Sequence, residues 1–325
     1  MFISPTNMTT GMSVTNNGTG AYGFMLDQFP GADVALSLRR LSSAYNGPMM
    51  RIRRAIDDEE ADLHFDARHY ISLNCPVDNF SSGSNSTNLG EFMKSADYAN
   101  PDSLGSTSDA YMPKWYDQSG NGHDAIETSA SYQPRIIYSS NLGAGEDGMS
   151  YGATASDGRD QGTPATYQDG SANMTGTQWG EVAHPNSITI VGQDTSAGSG
   201  GNKYFWEGTT SASRNIVGGL FNNDDSGIFA GGSDYLVITD SNKTAGNKIY
   251  FAVWNGSSSI FRLDDAELYG TQGDNPQYGY QLFTRYTGGS NHMLGYTNEF
   301  IFWPTNQSSL SAQIAEAQND FFQRY

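Results

Sequence analysis

The chain has 325 residues, 38 of them glycine, with 16% charged and 12% aromatic side chains. This excludes a disordered segment, which is poor in aromatics, and a coiled coil, which is rich in Glu, Lys and Ala. The net charge of −18 excludes nucleic acid as a partner, because phosphate binding draws on surplus Lys and Arg. No apolar run is long enough to read as a membrane span. The opening MFISPTNMTTGMSVTNNGTG lacks a basic stretch leading into an apolar one, so no secretory signal is read. Cys75 is alone and cannot form an internal disulfide. The expectation is a chain made in a reducing compartment.

In chain order, residues 1–28 are polar and read as an N-terminal arm. Residues 29–325 read as one domain. Pro30, Gly31 and Asp33 predict a helix over Ala32 to Ala44, stopped by Asn46-Gly47-Pro48. Met50 to Ile56 reads as a strand with one dry face. Arg39, Arg40, Arg51, Arg53 and Arg54 form a basic cluster, followed by Asp57, Asp58, Glu59, Glu60 and Asp62. Two readings stay open: mutual ion pairing or a site for an anionic ligand. Residues 76–110 are polar, broken by an amphipathic piece from Leu89 to Tyr98. Gln133-Pro134-Arg135-Ile136-Ile137-Tyr138 is a short strand. Residues 139–185 read as loop, carrying function or hiding short strands.

Strands are predicted at Ser187–Gly192, Lys203–Trp206, Arg214–Phe221, Gly227–Ala230, Tyr235–Thr239, Lys248–Trp254, Ser259–Leu263, Tyr278–Tyr286 and Glu299–Trp303. Many short strands between turn signals predict an all-β antiparallel sandwich with a few short helices. A closing helix follows Leu310, capped by Ser311, with Ile314, Ala317 and Phe321 on one face.

Two stretches resemble a known family. One is Leu38-Arg39-Arg40-Leu41 through Pro48, with Met50-Arg51-Ile52-Arg53-Arg54. The other is Trp115-Tyr116-Asp117-Gln118-Ser119-Gly120-Asn121-Gly122-His123-Asp124-Ala125, followed by Gln133-Pro134-Arg135-Ile136. Together they resemble the catalytic domain of the alpha-L-arabinofuranosidase B family and, more closely, its bacteriophage relatives. The later strands resemble laminin-G-like jelly rolls in general. The resemblance implies a concanavalin A-like jelly roll. Read from its residues alone, the loop Asp117 to Gly122 is structural: Asp, Ser and Asn bond their own backbone there, and Gly120 and Gly122 admit positive φ. Trp115 and Tyr116 anchor the strand that enters it.

The resemblance also bears on chemistry. Retaining glycosidases use two carboxyl groups about 5–5.5 Å apart. The counterpart of the family nucleophile is Glu207, in Tyr204-Phe205-Trp206-Glu207-Gly208. At the position of the family acid stands Ser290, in Thr287-Gly288-Gly289-Ser290-Asn291-His292, and a hydroxyl does not serve as that acid. The expectation is therefore a protein that is not an enzyme, with an arabinofuranosidase-like hydrolase as the alternative. The histidines show no zinc spacing. Asn222-Asn223-Asp224-Asp225-Ser226-Gly227 either holds Ca²⁺ or makes a plain acidic turn. No other cofactor is expected.

Jelly rolls often bind sugars through aromatic platforms and polar neighbours. The candidates are Tyr204, Trp206, Glu207, Trp254, Tyr280, Tyr286, Arg285, Asn291 and His292. In Lys248–Trp254, Tyr250 and Trp254 share one face, and they point outward if Ile249, Phe251 and Val253 are core. With the phage resemblance this leads to a virion surface protein, a head decoration or tail-tip component. It assembles in the host cytoplasm as a homo-oligomer, by analogy a trimer. Residues 1–28 contact other virion proteins, and the jelly roll faces a host-surface glycan. A decoration protein without a ligand is the remaining alternative.

Overall fold

The computed structural model describes residues 23–94, 109–137, 165–177, 179–195, 201–212, 214–219, 225–231, 235–239, 247–286 and 291–322. Its architecture is an all-β antiparallel sandwich with a few short helices. One sheet runs in the order Ala266–Gly270, Ser259–Leu263, Lys248–Trp254, Asn186–Asp194, Leu294–Trp303. The far edge of Leu294–Trp303 is shared by two short strands. Val34–Ser37 pairs with its second half and Thr166–Asp169 with its first.

The second sheet runs Val77–Asp78, Glu60–Leu63, Met50–Arg54, Ala110–Trp115, Ala125–Ile126, Met174–Gly176, Gln281–Leu282, Lys203–Glu207, Ile216–Gly219, Asp225–Phe229, Leu236–Thr239. Arg135–Ile137 pairs with Ala110–Trp115 and meets Thr166–Asp169 at Tyr167, which joins the two sheets along one side.

The interior between the sheets is aromatic. Trp206 stacks on Phe302 at 5.5 Å, Phe205 meets Tyr250 at 4.9 Å, and Trp115 meets Phe300 edge-on at 5.9 Å. Each ring pair joins one sheet to the other, and full burial of such side chains supplies much of the hydrophobic stabilisation.

The first sheet is dry on its outer face as well. Ala35, Phe251, Val253, Ile260, Ile301 and Trp303 form a second apolar cluster with Ile314 and Ala317 of the closing helix, Ser311–Phe322. Met25 of the helical turn Met25–Gln28 belongs to the same cluster, so the chain already packs at residue 25. Residues 1–22 of the expected arm lie outside the described residues.

Two expectations change. The helix over Ala32 to Ala44 is instead the strand Val34–Ser37, paired with Glu299 to Phe302. Val34 and Leu36 enter the main core while Ala35 enters the outer cluster. A continuous apolar run suits a strand buried on both faces as well as a helix, and long-range pairing decides. Second, Tyr250 and Trp254 point inward, into the main core, while Ile249, Phe251 and Val253 face the closing helix side. Of the two readings of residues 139–185, hidden short strands are found in the described part: Thr166–Asp169 and Met174–Gly176.

Four of the five arginines of the basic cluster make ion pairs, and Arg40 donates to the Ser42 and Ser43 carbonyls. Arg51 meets Glu60 at 2.6 Å and Asp62 at 3.0 Å, Arg53 meets Asp58 at 2.6 Å, and Arg54 meets Asp57 at 2.7 Å. Arg39 instead reaches Glu299 in the other half of the chain, at 2.7 Å and fully buried, with Ser37 and Gln318 completing the carboxylate's hydrogen bonds. Burial pushes the Cys75 thiol up to about 12, which keeps it a protonated core residue.

Candidate functional site

The strand Lys203–Glu207 carries an irregularity that builds the site. Tyr204 pairs with Gly218 and Trp206 with Val217, so Phe205 is the extra residue of a β-bulge. Phe205 and Trp206 both enter the main core, and Tyr204 and Glu207 are left for the opposite face. The bulge demands a bare backbone opposite it: a Cβ at Gly218 would lie 2.0 Å from the Lys203 carbonyl oxygen. Gly218 is therefore a geometric requirement of the site's own strand.

Glu207 is fully buried. One carboxylate oxygen, Oε1, accepts a short hydrogen bond from Arg214 Nε, and Oε2 accepts from the Tyr286 backbone N–H at 3.0 Å. Burial pushes the carboxyl above the usual glutamate range, and Arg214, the Tyr286 N–H and Arg285 pull in the other direction. The charges acting most strongly on Glu207 are thus two guanidiniums, not a second carboxyl.

Tyr204 stands beside it. Its hydroxyl accepts from the Asn202 amide at 3.0 Å and also bonds the Asn291 side chain, while its backbone N–H donates to the Asn291 carbonyl at 3.2 Å. Asn291 adopts φ 59, a left-handed conformation that Asn tolerates better than most residues. Phe283, with φ 67, is the more strained residue, since a bulky side chain rarely enters that region. It ends the Gln281–Leu282 strand, which is why the predicted Tyr278–Tyr286 strand is so short. The chain then turns so that the Tyr286 N–H reaches Glu207. Arg214 lies over both Phe229 and Tyr286, and Phe229 stacks on the exposed Tyr235 at 4.6 Å.

The structure thus brings Tyr204, Glu207, Arg285 and Asn291 together, with Tyr286 among them. It separates the rest. Trp206 and Tyr280 are fully buried and stack on each other at 4.7 Å and 7°. Trp254 is fully buried too. These three are core, not platforms for a sugar ring. His292 points Nδ1 at the Ala172 carbonyl, 3.4 Å away. Residues 287–290, including Ser290, and residues 222–224 of the candidate Ca²⁺ turn lie outside the described residues. Asp225 accepts from the Thr239 hydroxyl at 2.7 Å, and Ser226 and Gly227 are strand. Arg214 is a site residue that the sequence did not point to.

The loop after Trp115 works on a different part of the molecule. Asp117 Oδ1 accepts from the Ala35 and Ser119 backbone N–H groups, and Oδ2 from the Ser119 hydroxyl and the His123 N–H. The Asn121 amide donates to the Ala32 and Asp33 carbonyls. Gly120 and Gly122 take φ 92 and 74. Trp115 Nε1 donates to the Ser37 carbonyl and the Tyr116 hydroxyl to Asp62.

No family model matches the chain, and no curated protein matches it in sequence. Solved structures do match. A mutant GH54 α-L-arabinofuranosidase soaked with 4-nitrophenyl α-L-arabinofuranoside aligns over 91% of this chain at 12% identity, with a TM-score of 0.55. An arabinofuranosidase complexed with arabinofuranosyl-α-1,2-xylobiose aligns over 89% at 13% identity, with a TM-score of 0.53. A GH54 α-L-arabinofuranosidase soaked with a cyclic sulfate inhibitor aligns over 91% at 14% identity, with a TM-score of 0.51. The chain spans 64%, 62% and 64% of those proteins. At this identity the likeness is one of fold. It nonetheless corrects the expectation of a protein that is not an enzyme, because the structures sharing nearly the whole sandwich are hydrolases holding substrate or inhibitor.

Proposed function

We propose that the chain is a glycoside hydrolase of this sandwich fold, with Glu207 as the reacting carboxylate. The observation that carries the reading is the Glu207 carboxyl itself: buried, held at both oxygens, and placed by a bulge on the face opposite the core. A carboxylate so fixed loses no orientation on reaching a sugar, which is how preorganisation lowers a barrier. In this mechanism Glu207 attacks the anomeric carbon as the bond to the leaving group breaks. Water then displaces the carboxylate from the sugar. Arg214 opposes the loss of charge that burial favours in this carboxyl, and Tyr204 and Tyr286 border it.

Aryl glycosides give a direct test, because a 4-nitrophenolate leaves without a proton donor. A panel containing the α-L-arabinofuranoside, neutral pyranosides and a uronide is offered to the parent and to Glu207→Gln. The expected result is turnover of at least one member by the parent and a loss of at least about a thousandfold in the variant. Silence of the parent across the panel, or equal turnover by the variant, overturns the assignment. A place on a virus particle, with residues 1–28 attaching the chain, is independent of this chemistry. Its support is the phage resemblance, and incorporation of a chain lacking those residues at the parental level refutes the attachment.

A further inference from the structure

Among the described residues, the charges acting most strongly on Glu207 are two guanidiniums. Arg214 and Arg285 both place their guanidiniums over the Tyr286 ring, 5.2 and 5.1 Å from its centroid. Arg214 is engaged by Glu207. Arg285 is not matched in this way: its Nε is buried and, among the described residues, has no hydrogen-bond partner. Among the described residues no carboxylate pairs with Arg285, in a chain whose net charge is −18. A guanidinium N–H that is shielded from water and lacks an acceptor is costly, and a bound group that supplies the acceptor removes that cost.

We infer that Arg285, with Arg214 beside it, receives the carboxylate of an acidic sugar, so that the site takes saccharides of the uronic-acid class. This rests on the reading that the Glu207 face takes a glycan. Three features on the page favour it. A guanidinium offers parallel N–H groups at the spacing of two carboxylate oxygens, a match that a neutral hydroxyl does not make. The partly exposed Tyr286 ring and the exposed Tyr235, which stacks on the buried Phe229, supply apolar surface for the ring of a sugar. The charge of Glu207 repels an anion, and the two arginines together outweigh it.

The experiment measures binding, so it does not depend on turnover. Calorimetric titration of the parent with free glucuronate and galacturonate is set beside glucose and galactose, with galactose 6-sulfate and inorganic sulfate as further arms. The acids are expected to bind about tenfold or more tightly than their neutral counterparts, the difference one charge-assisted contact makes. Arg285→Gln should erase that preference. Arg285→Lys keeps the charge without the fork and should bind the acids several-fold more weakly than the parent. Near-ultraviolet circular dichroism establishes that each variant is folded, and the lysine form keeps the test alive if the glutamine form is not.

Equal affinity for acid and neutral sugars overturns the inference, as does a preference that survives Arg285→Gln. Binding of sulfate or sulfated galactose as tight as the uronates overturns the carboxylate assignment. Hydrolysis of neutral glycosides without an acid preference ends this inference and leaves the hydrolase reading standing. An acid preference without turnover of any glycoside does the reverse.

Discussion

At Glu207 two pressures oppose each other on one carboxyl. Burial favours the neutral form, and the Arg214 guanidinium favours the charged one, with burial the larger influence. A nucleophile must be ionised, so activity falls as pH drops through the folded pKa of Glu207. That pKa lies above the ordinary glutamate value, so the acid limb of kcat/KM belongs at higher pH than an exposed glutamate would place it. Arg214→Met removes the counter-pressure and should move the limb further up. The measurement is the pH profile of aryl glycoside hydrolysis by both proteins. A limb that stays in place after the substitution shows that Arg214 does not govern the ionisation of Glu207. Glu207 was legible in the sequence only through a family resemblance. Its partner Arg214 was not, because no local pattern reports that a turn folds back onto the end of the preceding strand.

Among the elements, the loop from Asp117 to His123 has the clearest physical duty. Its Asp117 accepts from four donors, one of them the Ala35 N–H of a strand 82 positions away. The same strand is held by Gln118, which accepts from the Leu41 N–H and donates to the Ser37 and Arg39 carbonyls. The loop therefore binds an edge strand that has Glu299 to Phe302 on its other side. Asp117→Ala should cost about 2–4 kcal/mol, since it leaves several inward N–H groups without an acceptor. Urea unfolding measures it, and a loss below about 0.5 kcal/mol would mean that water replaces the carboxylate there. The turn character of Asp117 to Gly122 was readable from its Asp, Ser, Asn and Gly residues. What the turn clamps was not, because the Val34–Ser37 strand has no alternating pattern and reads equally well as helix.

For the whole molecule, the feature that decides exposure is the second dry face of the first sheet. Lys248–Trp254 is apolar on both sides, so alternation separates Tyr250 and Trp254 from Phe251 and Val253 without telling which pair is inside. The answer comes from the end of the chain. Ile314 and Ala317 of the Ser311–Phe322 helix cover Phe251, Val253, Ile301 and Trp303. The helix itself was legible, through Ser311 at its start and apolar residues spaced by three and four. That it turns a one-core sandwich into a structure with two apolar layers became visible only with the sheet it covers. Ile314 is fully buried at the centre of this layer. Ile314→Ala should cost about 2–5 kcal/mol in urea unfolding, the range for a large-to-small change in a packed core. Removing the helix altogether should uncover the Phe251 face and drive self-association, read by light scattering. The Glu207 face lies on the other sheet, so Ile314→Ala should leave the kcat of glycoside hydrolysis within about twofold at temperatures where the protein stays folded. A large fall in kcat without unfolding would show that the two sheets are coupled, and that the closing helix does more than cover an apolar surface.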